Sequence, residues 1–216
     1  MEDLLSERSY ELGGSGRSEI RLNHTEETIL TDSQRQQLMG LADVVHSLQK
    51  IEGKDLDILE DIKIILPWGA ITELTGSERA ESLLKNYHHK APLTATKLVL
   101  RRTSPTRGCL PWHVDGLYLT SVVQYTLNDD NSYIGGRLCF FTSMIGLFVP
   151  RRPSGNLSVH TKEMHAVSRL LSGVRYILFV LDDTNSLGGS KENIVKVETK
   201  FSEQYVCFNE SLRVSS

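Results

Sequence analysis

The sequence has only three cysteines in 216 residues, Cys109, Cys139 and Cys207. They are too few and too widely spaced for a disulfide framework or a zinc cluster, so three reduced thiols are expected. No apolar run approaches the roughly 20 residues that cross a bilayer, and no membrane partner is expected. The acidic, polar start of the chain lacks the pattern of a secretory signal, which predicts a cytoplasmic or nuclear location.

An excess of basic residues is also missing. The 24 lysines and arginines are outnumbered by 27 acidic residues, and the formal net charge is −3. A protein that contacts many phosphates usually carries a positive excess, so nucleic acid is not an expected partner. The composition, 39% hydrophobic and 24% charged, is that of an ordinary globular domain.

Helical periodicity is confined to the first part of the chain. Residues 1–30 carry a Gly-Gly-Ser-Gly stretch among charges and are expected to form a flexible leader. Residues 31–91 are expected to form a helical buttress, with one helix capped by Thr31, Asp32 or Ser33 and a second helix beginning after Ser77. The first helix follows from apolar residues at helical spacing, namely Leu38, Leu41, Ala42, Val45 and Leu48. Residues 55–68 mix charges with Leu and Ile and remain ambiguous.

Residues 92–183 are expected to form the β domain. Short segments rich in β-branched and aromatic residues recur there, separated by glycines and turn-forming Asn and Asp. The predicted strands cover residues 97–101, 119–127, 137–142, 156–160, 166–171 and 175–181. Such strands without intervening helices favour an antiparallel sandwich or barrel. Residues 184–216 form a C-terminal segment whose role the sequence does not indicate.

The motif that carries chemistry is Trp-His-Val-Asp-Gly at residues 112–116. On an extended segment, residues i and i+2 face the same side, so His113 and Asp115 can project into one cavity as metal ligands. His165, at the start of a predicted strand, is the favoured third ligand, and His160 is the alternative. Two histidines and one carboxylate form the facial triad of non-haem iron(II) oxygenases. The same ligand types also suit zinc in a hydrolase.

Four segments, of which the first is the motif just described, follow one another in the β domain. They are His113-Val-Asp115, Tyr125-Thr-Leu-Asn128 with Gly135-Gly-Arg-Leu-Cys-Phe140, Pro153-Ser-Gly155 leading into His165-Ala-Val167, and Gly173-Val-Arg-Tyr176. In this order they resemble the catalytic core of the prolyl 4-hydroxylase branch of the 2-oxoglutarate-dependent dioxygenases. The resemblance extends from His113 to Leu181.

The resemblance implies a double-stranded β-helix (jelly roll) and a defined site. Iron(II) would be held by His113, Asp115 and His165, and Arg175 would bind the C5 carboxylate of 2-oxoglutarate. Arg175 lies ten residues after His165, the spacing found in the family. The chemistry of Arg175 supports the same role. Arg175 lies on a predicted buried strand, where a guanidinium needs an anionic partner, and its paired N–H donors suit a carboxylate. An internal salt bridge is the alternative. Dioxygen would be the oxidant, with ascorbate as the expected reductant.

The sequence also departs from the family pattern. Thr126 stands where the family usually has a tyrosine, so it is expected to contact 2-oxoglutarate or to leave that contact to water, with Gln124 as a polar neighbour. Residues 102–111 lack the usual tyrosine and are expected to form a loop near the mouth of the site. Trp112 either lines the substrate entrance or packs in the core. The substrate is therefore a peptidyl proline, an amino acid or a small metabolite, and a jelly-roll binding module without turnover remains the other hypothesis.

Overall fold

The structure is a computed structural model. It describes residues 10–12, 18–23, 30–66, 69, 72–73, 76–78, 80–81, 97–105, 109–115, 122–142, 146–160, 163–181 and 194–196. Within these ranges the helices are α1 (Asp32–Ile51) and α2 (Leu56–Glu60). The strands are β1 (Tyr10–Leu12), β2 (Ser18–Asn23), β3 (Asp61–Leu66), β4 (Lys97–Thr103), β5 (Leu110–His113), β6 (Val122–Thr126), β7 (Ile134–Gly135), β8 (Leu138–Thr142), β9 (Gly146–Phe148), β10 (Leu157–His160), β11 (Met164–Val167), β12 (Leu170–Ser172), β13 (Arg175–Leu181) and β14 (Ile194–Lys196).

Two facing sheets organise the fold. The larger sheet has the order β1-β2-β10-β6-β13-β4-β3-β14, and the smaller has the order β5-β11-β8-β9. Strands β7 and β12 form a separate pair. From β5 onward the chain alternates between the sheets: β5, β8, β9 and β11 lie in the smaller one, while β6, β10 and β13 lie in the larger one. This alternation is the double-stranded β-helix, and the predicted fold class, mainly β with N-terminal helices, is confirmed.

Helix α1 covers the outer face of the larger sheet. Among the three predicted caps it begins at Thr31, whose Oγ1 accepts from Gln34 N while Gln34 Oε1 accepts from Thr31 N. Four of the five residues of its predicted apolar stripe are buried and pack against residues of β3, β4, β6 and β13, whereas Leu48 is half-buried and lies outside this core. That cluster includes Leu38, Leu41, Ala42, Val45, Ile62, Ile64, Leu98, Leu100, Val123, Tyr125, Leu178 and Val180.

The opposite face of the larger sheet points toward the smaller sheet. On β13, Tyr176, Leu178 and Val180 belong to the core beneath α1. Because neighbouring residues of a strand point to opposite faces, Arg175 and Ile177 point into the space between the sheets. The same alternation directs Gln124 and Thr126 of β6 inward. This interior is therefore partly polar, which a simple hydrophobic core is not.

Several elements differ from the sequence prediction. The ambiguous residues 55–68 form α2 and β3, and β3 pairs with β4 from Asp61 to Leu66 as a full member of the larger sheet. Strands β1 and β2 lie within residues 1–30, where a flexible leader was expected, and β2 pairs with β10. Strand β2 has only two apolar residues, Ile20 and Leu22, so its sequence gives little sign of a strand.

Other differences concern element boundaries. The predicted strand over residues 166–171 is divided into β11 and β12, with a register shift beside each of them. Residues 77–78 and 80–81 of the predicted second helix are helical, and residues 82–90 lie outside the described residues. The domain boundaries at residues 30, 91 and 183 stay a prediction. Among the helices that the structure describes, none is long and apolar enough to cross a membrane.

Candidate metal centre and oxo-acid site

His113, Asp115 and His165 come together between the sheets. His113 ends β5 and lies directly opposite His165 of β11, with ring centroids 4.3 Å apart. Asp115 Oδ1 is 3.7 Å from His113 Nε2, and Asp115 Oδ2 is 3.7 Å from His165 Nε2. One ligand atom from each residue lies within 4.8 Å of the others. Strand pairing thus brings together two histidines that are 52 residues apart in sequence.

This cluster fits a divalent cation. Metal–nitrogen and metal–oxygen bonds of about 2.0–2.2 Å place two ligands of one ion at most about 4.4 Å apart, and the measured separations of 3.7 Å satisfy that limit. Asp115 Oδ2 is buried and has no hydrogen-bond partner among the described residues. A buried carboxylate oxygen without a donor is costly, and a cation bound between the imidazoles would remove that cost.

Main-chain carbonyls orient both imidazole rings. His113 Nδ1 donates to Pro111 O at 2.8 Å, and His165 Nδ1 donates to Glu163 O at 2.9 Å. Because a carbonyl oxygen only accepts, each Nδ1 carries the proton, and each Nε2 presents its lone pair toward Asp115. Burial is the largest influence on His165 and lowers its pKa, which favours the neutral, metal-binding form.

His160, the alternative third ligand, lies beside this centre. It ends β10 and is fully buried, and its ring centroid is 4.4 Å from that of His165. Its Nδ1 is 3.9 Å from Asp115 Oδ2, whereas Gln124 Nε2 donates to its Nε2 at 3.1 Å. His160 therefore borders the metal centre, with one ring nitrogen engaged by Gln124.

Gln124 connects His160 to a second buried arginine. Arg152 Nη1 donates to Gln124 Oε1 at 3.0 Å. A guanidinium can only donate, so Oε1 must face Arg152 and Nε2 must face His160. His160 Nε2 then accepts, which leaves the imidazole proton on Nδ1, directed at Asp115. This chain of hydrogen bonds fixes the orientation of the His160 ring at the metal centre.

Arg175 and Thr126 lie farther along the interior of the larger sheet. Arg175 is 4% exposed, and its Nε has no hydrogen-bond partner among the described residues. Burial lowers its pKa to about 10, and the hydroxyl of Tyr133 is its hydrogen-bond partner, so Arg175 is positively charged at neutral pH. Thr126 is fully buried, pairs with Ile177 across β6 and β13, and has an Oγ1 that likewise lacks a partner.

The internal salt bridge considered for Arg175 is absent among the described side chains. Asp61, the acidic residue nearest in the sheet register, is held by Arg101, whose Nε and Nη2 donate to its two oxygens at 2.6 and 2.9 Å. Burial alone would raise the pKa of Asp61, but Arg101 outweighs it and the pKa is lowered. Asp61 is thus an ionised partner of Arg101, and Arg175 keeps donor capacity for a ligand.

Asn128 fixes the backbone on both sides of Arg175. Its Nδ2 donates to Val174 O at 2.8 Å, and its Oδ1 accepts from Tyr176 N at 3.0 Å. These two bonds tie the end of β6 to the start of β13. The guanidinium therefore extends from a well-supported strand, as a binding group for a carboxylate requires.

A cavity of about 260 Å³ opens beside Arg175. Its lining comprises Glu60, Asp61, Arg101, Thr103, Cys109, Leu110, Gly136, Val167, Ser168, Leu170 and Arg175. The segment expected as a loop over residues 102–111 contributes to this lining, although β4 extends to Thr103 and β5 begins at Leu110. Trp112 does not pack in the core, because it is 47% exposed on the outer face of the smaller sheet, against Phe141. That it lines the substrate entrance stays a prediction.

Sequence reasoning did not identify three interior residues: Tyr133, Arg152 and Ser158. Ser158 could have been found from alternation, since it lies two residues before His160 on a predicted strand. Tyr133 and Arg152 belong to connections between strands, where no periodicity indicates which side chains turn inward.

Comparison with known proteins is informative at the level of fold. No protein-family model and no curated protein sequence matches the chain. A solved structure of a prolyl hydroxylase from Trichoplax adhaerens, in complex with a hypoxia inducible factor peptide, matches 75% of this chain and 82% of that one, at 13% identity and a TM-score of 0.51. The chain shares the fold of this prolyl hydroxylase. The predicted jelly roll and the predicted likeness to prolyl hydroxylases are confirmed at that level.

Two further solved structures are similar. A prolyl-4-hydroxylase from Pseudomonas putida matches 75% of this chain and 90% of that one, at 12% identity and a TM-score of 0.49. An oxidoreductase of the 2OG-Fe(II) oxygenase family from Burkholderia pseudomallei matches 51% of this chain at 16% identity and a TM-score of 0.41. The match spans 55% of the Burkholderia chain.

Proposed function

We propose that this chain is an iron(II)- and 2-oxoglutarate-dependent dioxygenase that hydroxylates a C–H bond. One observation carries the proposal: His113, Asp115 and His165 converge at one end of the barrel interior, and the buried Arg175, which lacks an acidic partner among the described residues, points into the same interior. A metal hydrolase would have no use for a buried guanidinium placed in this way.

One group of side chains would bind the metal and another would bind the cosubstrate. His113 and His165 offer Nε2 lone pairs, and Asp115 offers its unpartnered Oδ2. Three protein ligands on one face leave positions for a chelating oxo acid and dioxygen. When bound, iron(II) and 2-oxoglutarate would activate dioxygen, which is the oxidant: one of its oxygen atoms enters the succinate formed when the oxo acid loses carbon dioxide, and the other enters the substrate as a hydroxyl group. Arg175, with the hydroxyl of Thr126, would bind the C5 carboxylate.

Apolar side chains around these groups keep water away from the reacting atoms. Phe140 is fully buried and lies edge-on to His160, with its ring centroid 5.4 Å away. Ile177 is buried two residues after Arg175 on the same face of β13 and covers another part of the interior. A dry interior strengthens the attraction between Arg175 and a carboxylate. It also protects a strongly oxidising centre from side reactions.

A peptidyl proline is the first substrate to test. The likeness to a prolyl hydroxylase that was solved with a bound peptide supports a peptide substrate. A free amino acid or small metabolite is the alternative, because residues 102–111 differ from the family pattern beside the cavity. The location in cytoplasm or nucleus and the use of ascorbate stay predictions.

The first experiment measures 2-oxoglutarate turnover without added substrate. Purified protein with iron(II) and ascorbate should release carbon dioxide from 2-oxoglutarate, and His165→Ala should abolish both this release and metal binding. His46→Ala on α1, remote from the centre, is the matched control. If the wild-type protein neither decarboxylates 2-oxoglutarate nor is stabilised by it, the dioxygenase proposal is wrong.

The second experiment identifies the substrate class. Proline-containing peptides, free amino acids and small metabolites are incubated separately with the active protein, and mass spectrometry detects the added oxygen. A peptide product together with increased succinate formation supports the prolyl hydroxylase assignment. A product only from free amino acids or metabolites replaces that assignment and leaves the reaction class intact.

A further inference from the structure

Arg152 is a buried cation that the proposed roles leave without a function. It lies between β9 and β10 and is 3% exposed. Nη1 donates to Gln124, whereas Nε and Nη2 are buried and have no hydrogen-bond partner among the described residues. A buried guanidinium with unused donors is costly unless a ligand completes its hydrogen bonds.

Arg152 and Arg175 lie close enough to affect each other's charge. Burial, and then the positive charge of Arg175, lower the pKa of Arg152 to about 9. Tyr133 lies near both arginines and is the hydrogen-bond partner of Arg175. Both arginines are buried and protonated at neutral pH, so two positive charges lie near each other in the interior between the sheets.

The acidic residues nearby are already engaged. Asp130 forms an ion pair with Arg137, and toward Arg152 it accepts only the backbone N–H, at 3.0 Å. Asp61 is held by both donors of Arg101. Neither carboxylate receives a hydrogen bond from the Arg152 guanidinium. The positive charge of the two arginines therefore suits an anionic ligand.

Two buried hydroxyls add further donors that have no partner among the described residues. Ser158 of β10 lies directly opposite Gln124 of β6, and Thr126 is two residues farther along the same face of β6. Ser158 Oγ and Thr126 Oγ1 are both buried, without a hydrogen-bond partner in the described part of the chain. Two cations and two hydroxyls, all with hydrogen bonds to give, face the interior of one barrel.

We propose that Arg152 and Arg175 together bind the distal carboxylate of the 2-oxo acid, assisted by the hydroxyls of Thr126 and Ser158. This two-arginine clamp rests on the proposed function and adds a second cationic contact to it. A carboxylate held between two guanidiniums receives charge-assisted bonds from both sides. The clamp makes the site selective for dicarboxylic oxo acids, because an oxo acid with an uncharged tail would leave both arginines unpaired.

The test measures binding by calorimetry, with no turnover required. Manganese(II)-loaded protein is titrated with 2-oxoglutarate and with 2-oxopentanoate, which has the same chain length and no distal carboxylate. Metal-free protein is titrated with glutarate, which has no keto group and so probes the carboxylate contacts alone. The variants are Arg152→Gln, Arg152→Lys and Arg175→Gln, and Arg151→Gln, at an exposed neighbouring position, is the matched control.

The clamp predicts a clear pattern of dissociation constants. Arg152→Gln should raise the Kd for 2-oxoglutarate and for glutarate about 10- to 100-fold, the range for losing a charged hydrogen-bonding group. Arg152→Lys should retain part of the affinity, and Arg151→Gln should retain all of it. Arg152→Gln should also reduce the preference of the wild-type protein for 2-oxoglutarate over 2-oxopentanoate.

Other outcomes separate this proposal from the proposed function. If Arg152→Gln keeps the wild-type Kd while Arg175→Gln loses binding, the clamp is wrong and the dioxygenase proposal stands. If the wild-type protein binds 2-oxoglutarate in neither metal state, both proposals fail. If Arg152→Gln does not fold, Arg152→Lys provides the test, because it keeps the positive charge and loses the planar set of guanidinium donors. An unchanged Kd for 2-oxoglutarate in Arg152→Lys would then overturn the proposal that both guanidiniums bind the carboxylate.

Discussion

The hydroxyl of Tyr176 donates a hydrogen bond of 2.6 Å to the carboxylate of Asp43, 133 residues earlier in the chain. Arg102 Nε donates to the same oxygen at 2.8 Å. Tyr176 directly follows Arg175 on β13, so this contact fastens α1 to the strand that carries the proposed cosubstrate arginine. Burial, and then the Asp43 carboxylate, raise the pKa of Tyr176, which keeps the hydroxyl a donor.

Tyr176→Phe should therefore lower the free energy of unfolding by about 1.5 kcal/mol, the low end of the range for a hydrogen bond to a charged group, because the Asp43 carboxylate is half exposed. The Kd for 2-oxoglutarate should change little, because Tyr176 points to the helix side of the sheet. Urea unfolding of Tyr176→Phe, Asp43→Asn and the double variant measures the coupling. Losses that simply add would show that the two side chains do not stabilise the fold as a pair.

Gln124→Leu should weaken metal binding without removing a ligand. The substitution deletes the bond that orients His160 beside Asp115 and leaves Arg152 and His160 without that partner. A hydrogen bond made directly to a metal ligand is typically worth about 10- to 100-fold in metal affinity, and the effect here should be smaller because Gln124 acts through His160, which is not a ligand. Competition with a chelator measures the affinity. Gln49→Leu, on α1 away from the interior, is the control, and an unchanged affinity in Gln124→Leu would show that His160 needs no such support.

Asp61 predicts a specific acid sensitivity. Its pKa in the folded protein is below the ordinary value of about 3.9 because Arg101 stabilises its charge despite burial. A lowered pKa contributes stability above that ordinary value, and the contribution is lost as the pH falls through the lower, folded-state pKa. Asp61→Asn should thus be less stable than wild type at pH 7, and the difference should shrink at lower pH.

Urea unfolding at a series of pH values measures this difference. Asp55→Asn is the matched control, because Asp55 is exposed and its side chain makes no capping hydrogen bond. A difference between wild type and Asp61→Asn that stays constant down to the acid-unfolded range would contradict the assigned ion pair with Arg101.

Gly173→Ala tests the support of Tyr133. Gly173 has a φ of 80°, and a Cβ there would lie 2.6 Å from Ser132 O and 2.8 Å from Tyr133 Cα. Gly146 has a φ of 77° with nothing within 4 Å of such a Cβ, so Gly146→Ala carries only the cost of the left-handed backbone, about 1–2 kcal/mol. Gly173→Ala should be more destabilising than this and should weaken 2-oxoglutarate binding by displacing the partner of Arg175.

Calorimetry and thermal unfolding compare the two alanine variants directly. Equal losses of stability would mean that Tyr133 moves aside without cost. A normal Kd for 2-oxoglutarate in Gly173→Ala would show that Tyr133 does not position Arg175.

Local patterns were sufficient for part of this site. His113 and Asp115 could be paired from the two-residue period of an extended chain, whereas Arg175 was indicated by the resemblance to the dioxygenase family, in which a basic residue follows the second histidine by about ten positions. The first relationship involves a short segment whose geometry is regular. The fold class followed in the same way from strands separated by turns.

Other buried charged residues could not be predicted, because the residues that stabilise their charges are distant in sequence. Strand β3 has charged Asp61 and Lys63 at inward positions, and the charge of Asp61 is stabilised by Arg101 of the neighbouring strand β4 and by Lys63. Arg152 is held in the interior by a hydrogen bond to Gln124, 28 residues earlier, and no local pattern indicates this contact. A single sequence does not contain the pairing of such distant residues in readable form.

The two carbonyl acceptors behind the metal-ligand rings have an evolutionary consequence. Pro111 and Glu163 orient His113 and His165 through main-chain oxygens, which every amino acid possesses. A point mutation at either position changes a side chain and leaves the acceptor in place. Lineages can therefore diverge widely around the ligands while the imidazoles keep their direction, provided that β5 and β11 stay paired. The orientation of the rings thus depends on the pairing of β5 with β11, and the metal centre tolerates side-chain substitutions at these two positions.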